Sequence, residues 1–511
     1  GISAPTHIKA YLSDDGTNWY AISAWDQPSD YVSSHSAKRS QRTFTLDTPI
    51  AARFVRIRIE SAFLFVDEIE VMGKKNVDGA VSLKDTGIRP TIYYTSKDRA
   101  EYADVDNTRI KSKNIDLVIG NKVTKESLLP RVAYLDKDGK IVDTFMDGFL
   151  YCTTAGLPSG SYPHLDNYKV DWEFVFDQTF NSNGGLDSLE ETVKTVKDAL
   201  NRPDHKVQVY FTFLTIRDGV TDFGDVDGDG ISESLATAEG REKVIKWFVN
   251  KCVHEFNSRE YQNLEIGGFY WVNESVTWEK DDSAIIKETI DIVHSLDYPI
   301  FWIPYFCAHR YYEGYDMGFD LVSMQPNYVF KSNEPEYRVP TTSIRTKYQG
   351  MTVEIEHTYQ ALSDPNFAES YMKYLLYGAK DGYMKDGVHI YYHDVENFSL
   401  MGTSTDPLCR LQYDATYNFA KGTLDVTPEK KDTIKLTART DEVLRADIGD
   451  STLPTRFELV KAPENGTVTL TKEGKVLYFP NKGYKGTDSF EYTYNNYLDT
   501  SEPCKVEITV E

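Results

Sequence analysis

Five cysteines in 511 residues, Cys152, Cys252, Cys307, Cys409 and Cys504, are too few and too scattered for a disulfide framework, and no CxxC spacing offers a structural zinc or a redox pair. Positive charge is also scarce. The 56 Lys and Arg stand against 79 Asp and Glu, a formal net charge of -23. That balance argues against a nucleic-acid partner and makes neutral or cationic substrates easier to hold than anionic ones. No apolar run reaches the roughly 18 residues of a membrane-crossing helix, so no transmembrane segment is expected. No signal peptide is visible either, although a chain that starts at Gly1 is consistent with a leader removed beforehand. The GxGxxG and GxxxxGK phosphate loops, the HExxH zinc motif and the GxSxG nucleophile elbow are all missing.

Aromatic residues are abundant at 13%, with 35 Tyr and 25 Phe. Rings stack on the apolar faces of sugars, and they equally fill apolar cores. The length suits two to four domains.

At the N-terminus, HIKAYLSDDGTNWYAI and RFVRIRIESAFLFVDEIEVMG alternate with period two around an Asp-Asp-Gly turn, which predicts a small antiparallel module over residues 1–74. SDDGTNW, ARFVRIRI and FVDEIEVMG resemble the second half of a discoidin-like, coagulation factor type C domain. That resemblance implies a β-sandwich fragment, an attached remnant rather than a complete glycan-binding module. Residues 423–511 read as short strands separated by Gly, Pro and Asn turns. PENGTVTL and YFPNKGYKGTDSFEYTY there resemble the immunoglobulin-like, cadherin-like repeats of secreted bacterial proteins, which implies a secreted or cell-envelope setting.

Between them, over residues 85–422, short apolar runs alternate with helical patterns at about 186–200, 237–256, 282–296, 366–378 and 410–420. The runs are TFMDGFLYC, KVQVYFTFL, LEIGGFYWV, YPIFWIPYF, FDLVSMQPNYVF, MTVEIEH and GVHIYYHD, with PRVAYLDKDG as an eighth strand or a preceding hairpin. Strands apolar on both faces, each feeding a helix, predict a (β/α)8 barrel of the TIM type.

Catalytic groups of such a barrel stand at the carboxyl ends of its strands. Glu274 closes GGFYWVNES and Glu356 closes MTVEIEH, three strand positions apart, so their carboxyls can converge on one bond. A pair of carboxylates is the chemistry of glycosidic cleavage, with retention expected at a separation of roughly 5 Å and inversion at about 6.5–9.5 Å. Glu274, beside Tyr270, Trp271 and Trp278, is assigned as general acid/base, and Glu356 as nucleophile or electrostatic stabiliser. Asp147, Glu173, Tyr305, His309, Gln325, Asn327, His357 and His393 are the further pocket candidates.

RVAYLDKDGKIVDTFMDGFLY, DVDGDGISESLATAEGREKVIKWFV, LEIGGFYWVNES, FDLVSMQPNYVF and VEIEHT resemble a bacterial family known as a domain of unknown function, number 4855. The resemblance spans roughly residues 85–422 and implies a barrel glycoside hydrolase with Glu274 and Glu356 in its pocket.

FGDVDGDGISES sets Asp225, Asp227 and Asp229 in alternation, with Ile231 able to offer its carbonyl and Glu233 at the ninth position of an EF-hand-like loop. The bidentate acid of position twelve is replaced by Ala236. The segment reads either as a structural calcium loop or as a solvated acidic turn capping the next helix. No cofactor is expected for catalysis. Two rival functions remain: a metal-dependent hydrolase built on His309, His357, His393, Asp394 and Glu356, and a non-catalytic glycan-binding protein. The sequence carries no signal for oligomeric state.

Overall fold

The computed structural model describes residues 7–16, 18–26, 41–60, 68–75, 77–88, 91–92, 99–119, 123–152, 156–181, 184–276, 282–426, 430–449, 456–495 and 500–511. Trp278 lies outside them. The chain divides into two compact units, Gly1–Lys97 and Asp98–Glu511.

In the first unit Phe54–Glu60, His7–Ser13, Asn18–Asp26 and Thr91–Ile92 form one antiparallel sheet in that order. The acidic turn closes as expected: Asp15 Oδ1 accepts the Asn18 N–H at 2.8 Å, and Gly16 takes φ +78°. The expected continuation of strand pairing towards Gly73 is not seen, since residues 68–73 carry no strand and 61–67 lie outside the described residues. Thr91–Ile92 takes the sheet's edge beside Asn18–Asp26 instead.

The second unit opens with a closed parallel barrel of eight strands. In chain order these are β1 (Asn114–Ile119), β2 (Gly148–Cys152), β3 (Val207–Phe213), β4 (Leu264–Trp271), β5 (Ile300–Trp302), β6 (Leu321–Met324), β7 (Thr352–Glu356) and β8 (His389–Tyr392), and β8 pairs back onto β1. PRVAYLDKDG supplies a hairpin, Ala133–Leu135 with Ile141–Thr144, and not a barrel strand. The first strand is the short NIDLVI run, whose central Asp116 hides it from an apolar-run reading.

Because side chains alternate across a strand, each strand feeds two cores. Ile115, Leu117, Leu150, Tyr210, Phe301, Leu321 and Ile390 fill the lumen. Phe149, Val209, Phe211, Phe269, Val322, Val353 and Ile355 pack outward against the helices. The principal helices are α1 (Lys125–Val132), α2 (Lys169–Thr179), α3 (Gly185–Leu200), α4 (Ala238–Ser258), α5 (Ser283–Ser295), α6 (Arg338–Gln349), α7 (Pro365–Asp381), α8 (Asn397–Thr403) and α9 (Pro407–Ala420). Thr237 caps α4 and Asp406 caps α9 through side-chain acceptors on the first free N–H groups.

After α9 a β-sandwich follows. One sheet orders Ile434–Ala438, Cys504–Val510, Gly486–Asn495 and Arg456–Lys461, and the other Leu444–Asp447, Lys475–Pro480 and Gly466–Leu470. Phe457, Tyr478, Phe490, Tyr492 and Val506 fill its core. Arg456 reaches back to pair with Glu369 of α7. None of the five cysteines forms a disulfide, and no helix among the described residues is long and apolar enough to cross a membrane.

Candidate active site

The mouth of the barrel is organised by an irregularity in β4. Val209 pairs with Ile266 and the next residue, Tyr210, pairs with Gly268, so Gly267 is an extra residue in β4. Only glycine fits this pair of positions. A Cβ on Gly267 would lie 2.5 Å from the Tyr210 ring, and one on Gly268, at φ +141°, would lie 2.4 Å from the Pro299 carbonyl oxygen. The bulge shifts the phase of the strand. Leu264 and Ile266 face the helices, yet beyond the bulge Phe269 and Trp271 do so, while Tyr270 joins the lumen. Glu274 follows in the lumen-facing phase.

Three bonds from the β5 side fix the Glu274 segment. The Trp302 indole donates to Asn273 O at 2.6 Å, the Tyr305 N–H to Glu274 O at 3.0 Å and the His309 N–H to Ser275 Oγ at 3.0 Å. Glu274 keeps an exposed face at the mouth, yet the protein crowded round its carboxyl raises its pKa, against the lowering effects of a Gln325 side-chain hydrogen bond and of His164. The open face limits that rise. Gln325 is itself held by its amide on Ile303 O at 3.2 Å.

Glu356 ends β7, is 2% exposed and is gripped by donors. Tyr374 of α7 gives its hydroxyl proton to Oε2 at 2.7 Å, and the Asn327 backbone N–H reaches the same oxygen at 2.6 Å. Asn327 adopts φ +51° to do so, a conformation asparagine tolerates better than most residues, and Arg338 secures it by donating to its carbonyl at 2.8 Å. The Tyr374 hydroxyl also accepts from Tyr328 N at 2.9 Å and Val329 N at 3.3 Å, which polarises its O–H towards the carboxylate. Burial nevertheless drives the Glu356 pKa up to about 8, opposed by these donors and reinforced by the charge of Glu274.

A third carboxyl joins the pair. Glu354, two residues earlier on the same face of β7, is 3% exposed, and burial followed by the charges of Glu356 and Glu274 raises its pKa far above the ordinary range. Burial first, and the charges of the cluster after it, push the Cys152 thiol up to about 12 and raise Tyr270 and Tyr392, so these residues lie close to the glutamates. Cys152 is therefore a neutral thiol and no nucleophile.

Of the residues singled out in the sequence, Glu274, Glu356, Tyr270, Tyr305, His309, Gln325 and Asn327 come together here, Asn327 through its backbone and not its amide. Five are elsewhere. Asp147 precedes β2, at the amino end of the barrel, and accepts the N–H groups of Lys113 (3.0 Å) and Asn114 (2.7 Å). Glu173 is on α2, not at a strand end, and faces Lys169 at 3.7 Å. Trp271 packs outward. His357 also points outward, bonded to Gln412 (3.0 Å) and Asn397 (3.2 Å), with burial lowering its pKa to about 3. His393 sits outward with Asp116 (3.3 Å) and Tyr371 (3.2 Å). His357 and His393 thus turn away from Glu356, and the metal constellation proposed through them does not assemble. Glu354, Tyr374, Tyr392, Cys152 and His164 were not anticipated. The signal for Glu354 was present in VEIE, where period two puts both glutamates on one face. Exposed tyrosines occur in the segments that follow four strands: Tyr162 after β2, Tyr305 after β5, Tyr337 after β6 and Tyr359 after β7.

Among the described residues, Asp225, Asp227 and Asp229 are the one acidic group whose ligand atoms fall within reach of a single ion, all within 4.8 Å of one another. The loop turns its oxygens inward: Asp225 accepts Gly228 N at 2.6 Å and Gly230 N at 2.9 Å, and Asp229 accepts Ile231 N at 2.7 Å. The donor set suits a hard cation. Two features depart from an EF-hand: Glu233 spends Oε2 on Val226 N at 2.8 Å, and Lys243 sits 2.8 Å from Asp227.

Residues 119–418 match the family described as Domain of unknown function (DUF4855). The chain belongs to that family. Residues 414–509 match a bacterial Ig domain, in agreement with the sandwich. No curated protein matches the chain. Three solved structures resembling the DUF4855 chain are glycoside hydrolases. They are chitinase ChiW of Paenibacillus sp. str. FPU-7 (10% identity over 99% of this chain and 49% of that one, TM-score 0.37), a variant endo-fucoidan hydrolase of glycoside hydrolase family 107 (12%, 79% and 68%, TM-score 0.30) and an alpha-amylase from Malbranchea cinnamomea (12%, 74% and 98%, TM-score 0.33). The chain spans about half the length of that chitinase. Likeness at these scores carries no argument about the chemistry of the DUF4855 barrel.

Proposed function

We propose that the protein is a glycoside hydrolase of a polysaccharide or glycoconjugate. What carries the reading is the placing of Glu274, after the fourth strand, and Glu356, at the end of the seventh, at the same end of one barrel, near enough that the charge of Glu274 acts on Glu356. Glu274, open to the mouth with a raised pKa, is the proton donor to the leaving oxygen and then the base for water. Glu356 faces the anomeric carbon and is the member that ionises for the reaction, above its raised pKa: Tyr374 and Asn327 donate to it, and hydrogen bonds to a carboxylate favour its charged form. Like charges at this range cannot all ionise together, and Glu354, which has no donor, keeps a proton most readily. Retention of configuration goes with Glu356 acting as a nucleophile. The exposed tyrosines offer stacking faces to sugars.

A calcium ion on Asp225, Asp227 and Asp229, with Ile231 and Glu233 completing the loop, is proposed as structural. The N-terminal unit is read as a discoidin-like remnant, and the setting as secreted or cell-envelope on the strength of the bacterial Ig domain.

Reducing-end release from a glycan panel tests the reading, with product anomers followed by NMR. Glu274→Gln and Glu356→Gln are each expected to lower turnover by about 10²–10⁴-fold while binding persists. Turnover unchanged in either variant removes that residue from the chemistry, and binding without turnover in the natural chain makes the protein a glycan-binding module.

A further inference from the structure

Hydrolysis needs two carboxyls, and the mouth holds three. Glu354 is 3% exposed and accepts no hydrogen bond from any described residue. The groups facing it are Glu356 on its own strand, Glu274 after β4, Cys152 of β2, Tyr270 of β4 and Tyr392 of β8. A buried carboxyl on the lumen face of its strand, without a donor among the described residues, marks a missing partner. Resting on the glycosidase reading, we propose that the substrate is a glycan with a free amino sugar and that Glu354 receives its protonated amine.

Three observations favour an ammonium over the other candidates. A sugar hydroxyl would fill the hydrogen bond but leave the field of Glu274 and Glu356 standing, and His164 is the one basic group among the strongest influences on the three glutamates. A single metal ion does not fit, because among the described residues the only acidic group compact enough for one is the Asp225 loop. A chain of net charge -23 also draws cations to its surface. In the free protein a proton neutralises Glu354, and the arriving ammonium displaces it, so binding releases a proton to the buffer.

The test is calorimetric titration of full-length Glu274→Gln with glucosamine and galactosamine oligosaccharides and their N-acetylated counterparts, in two buffers of different ionisation heat. At least one free-amine series is expected to bind about tenfold tighter than its N-acetylated form with proton release, and adding Glu354→Gln should abolish that preference while sparing the N-acetylated ligand. Equal affinity for the two forms, no binding of either amine, or a preference that survives Glu354→Gln overturns the proposal. Should the glutamine variant fail to fold by circular dichroism, Glu354→Asp, which keeps the charge, must retain the preference, and its loss overturns the proposal equally. Failure of the hydrolase reading looks different: the natural chain binds the amine glycan and releases no reducing ends.

Discussion

The Tyr374 hydroxyl is the residue-scale pivot of the site, since it takes two backbone N–H groups and hands its own proton to Glu356. Removing it in Tyr374→Phe withdraws a hydrogen bond to a charged group, worth about 1.5–3 kcal/mol. Turnover should fall about 10- to 100-fold, and the acidic limb of kcat/KM should move to higher pH as Glu356 becomes harder to ionise. A pH–rate profile left in place would show that Tyr374 only packs. At this scale the sequence was readable where a residue closed a strand and failed where parity was not applied. Trp271, His357 and His393 each sit one step out of phase with the lumen, and all three turn to the helix layer. Glu354 is in phase with Glu356 but stands inside the strand, so position at a strand end does not mark it. Tyr374 had no local signal, as it reaches the site from a helix.

Among the elements, strands two to eight and five of the helices were readable from apolar periodicity, with the last helix starting at Pro407, three residues before the expected 410. The first barrel strand was not, because Asp116 interrupts its apolar run and is held in the interior by Arg131 at 2.9 Å and His393 at 3.3 Å, interactions invisible in one dimension. Helix α1 escaped for a related reason: Pro130 lies inside it and removes the N–H that would bond to the Glu126 carbonyl, so the segment does not read as a helix. The Asp225 loop makes a prediction at the same scale. Calcium should raise the melting temperature of the whole chain, Asp229→Ala should abolish the rise, and Lys243→Met should enlarge it by removing the ammonium that competes for Asp227. A melting curve indifferent to calcium and to chelator would identify an acidic turn instead.

For the whole molecule, buried acids and buried histidines oppose each other as pH changes. Glu274, Glu354 and Glu356 have raised folded pKa values, so the stability they contribute is complete below the ordinary carboxylate range and is lost as pH climbs towards about 8. His357 and His389 have pKa values depressed to about 3, so their contribution is present above the ordinary 6.5 and is lost as pH falls below it. Melting temperature should therefore peak between these limits, near pH 6. Glu354→Gln should recover at least about 2 °C on the alkaline side, what roughly 1 kcal/mol gives in a large domain, and leave the acid side unchanged. A parallel alkaline loss in the variant and the natural chain would show that Glu354 does not titrate in this window.

The extra glycine of β4 makes the mouth depend on counting. Loss of a single codon at Gly267 or Gly268 would delete no side chain and leave the sequence of every helix untouched. It would nevertheless exchange the two faces beyond that point, sending Glu274 and Tyr270 towards the helices and Trp271 into the lumen. Among descendants of this chain, an in-frame deletion there would turn a polar, carboxyl-lined mouth into a more apolar one.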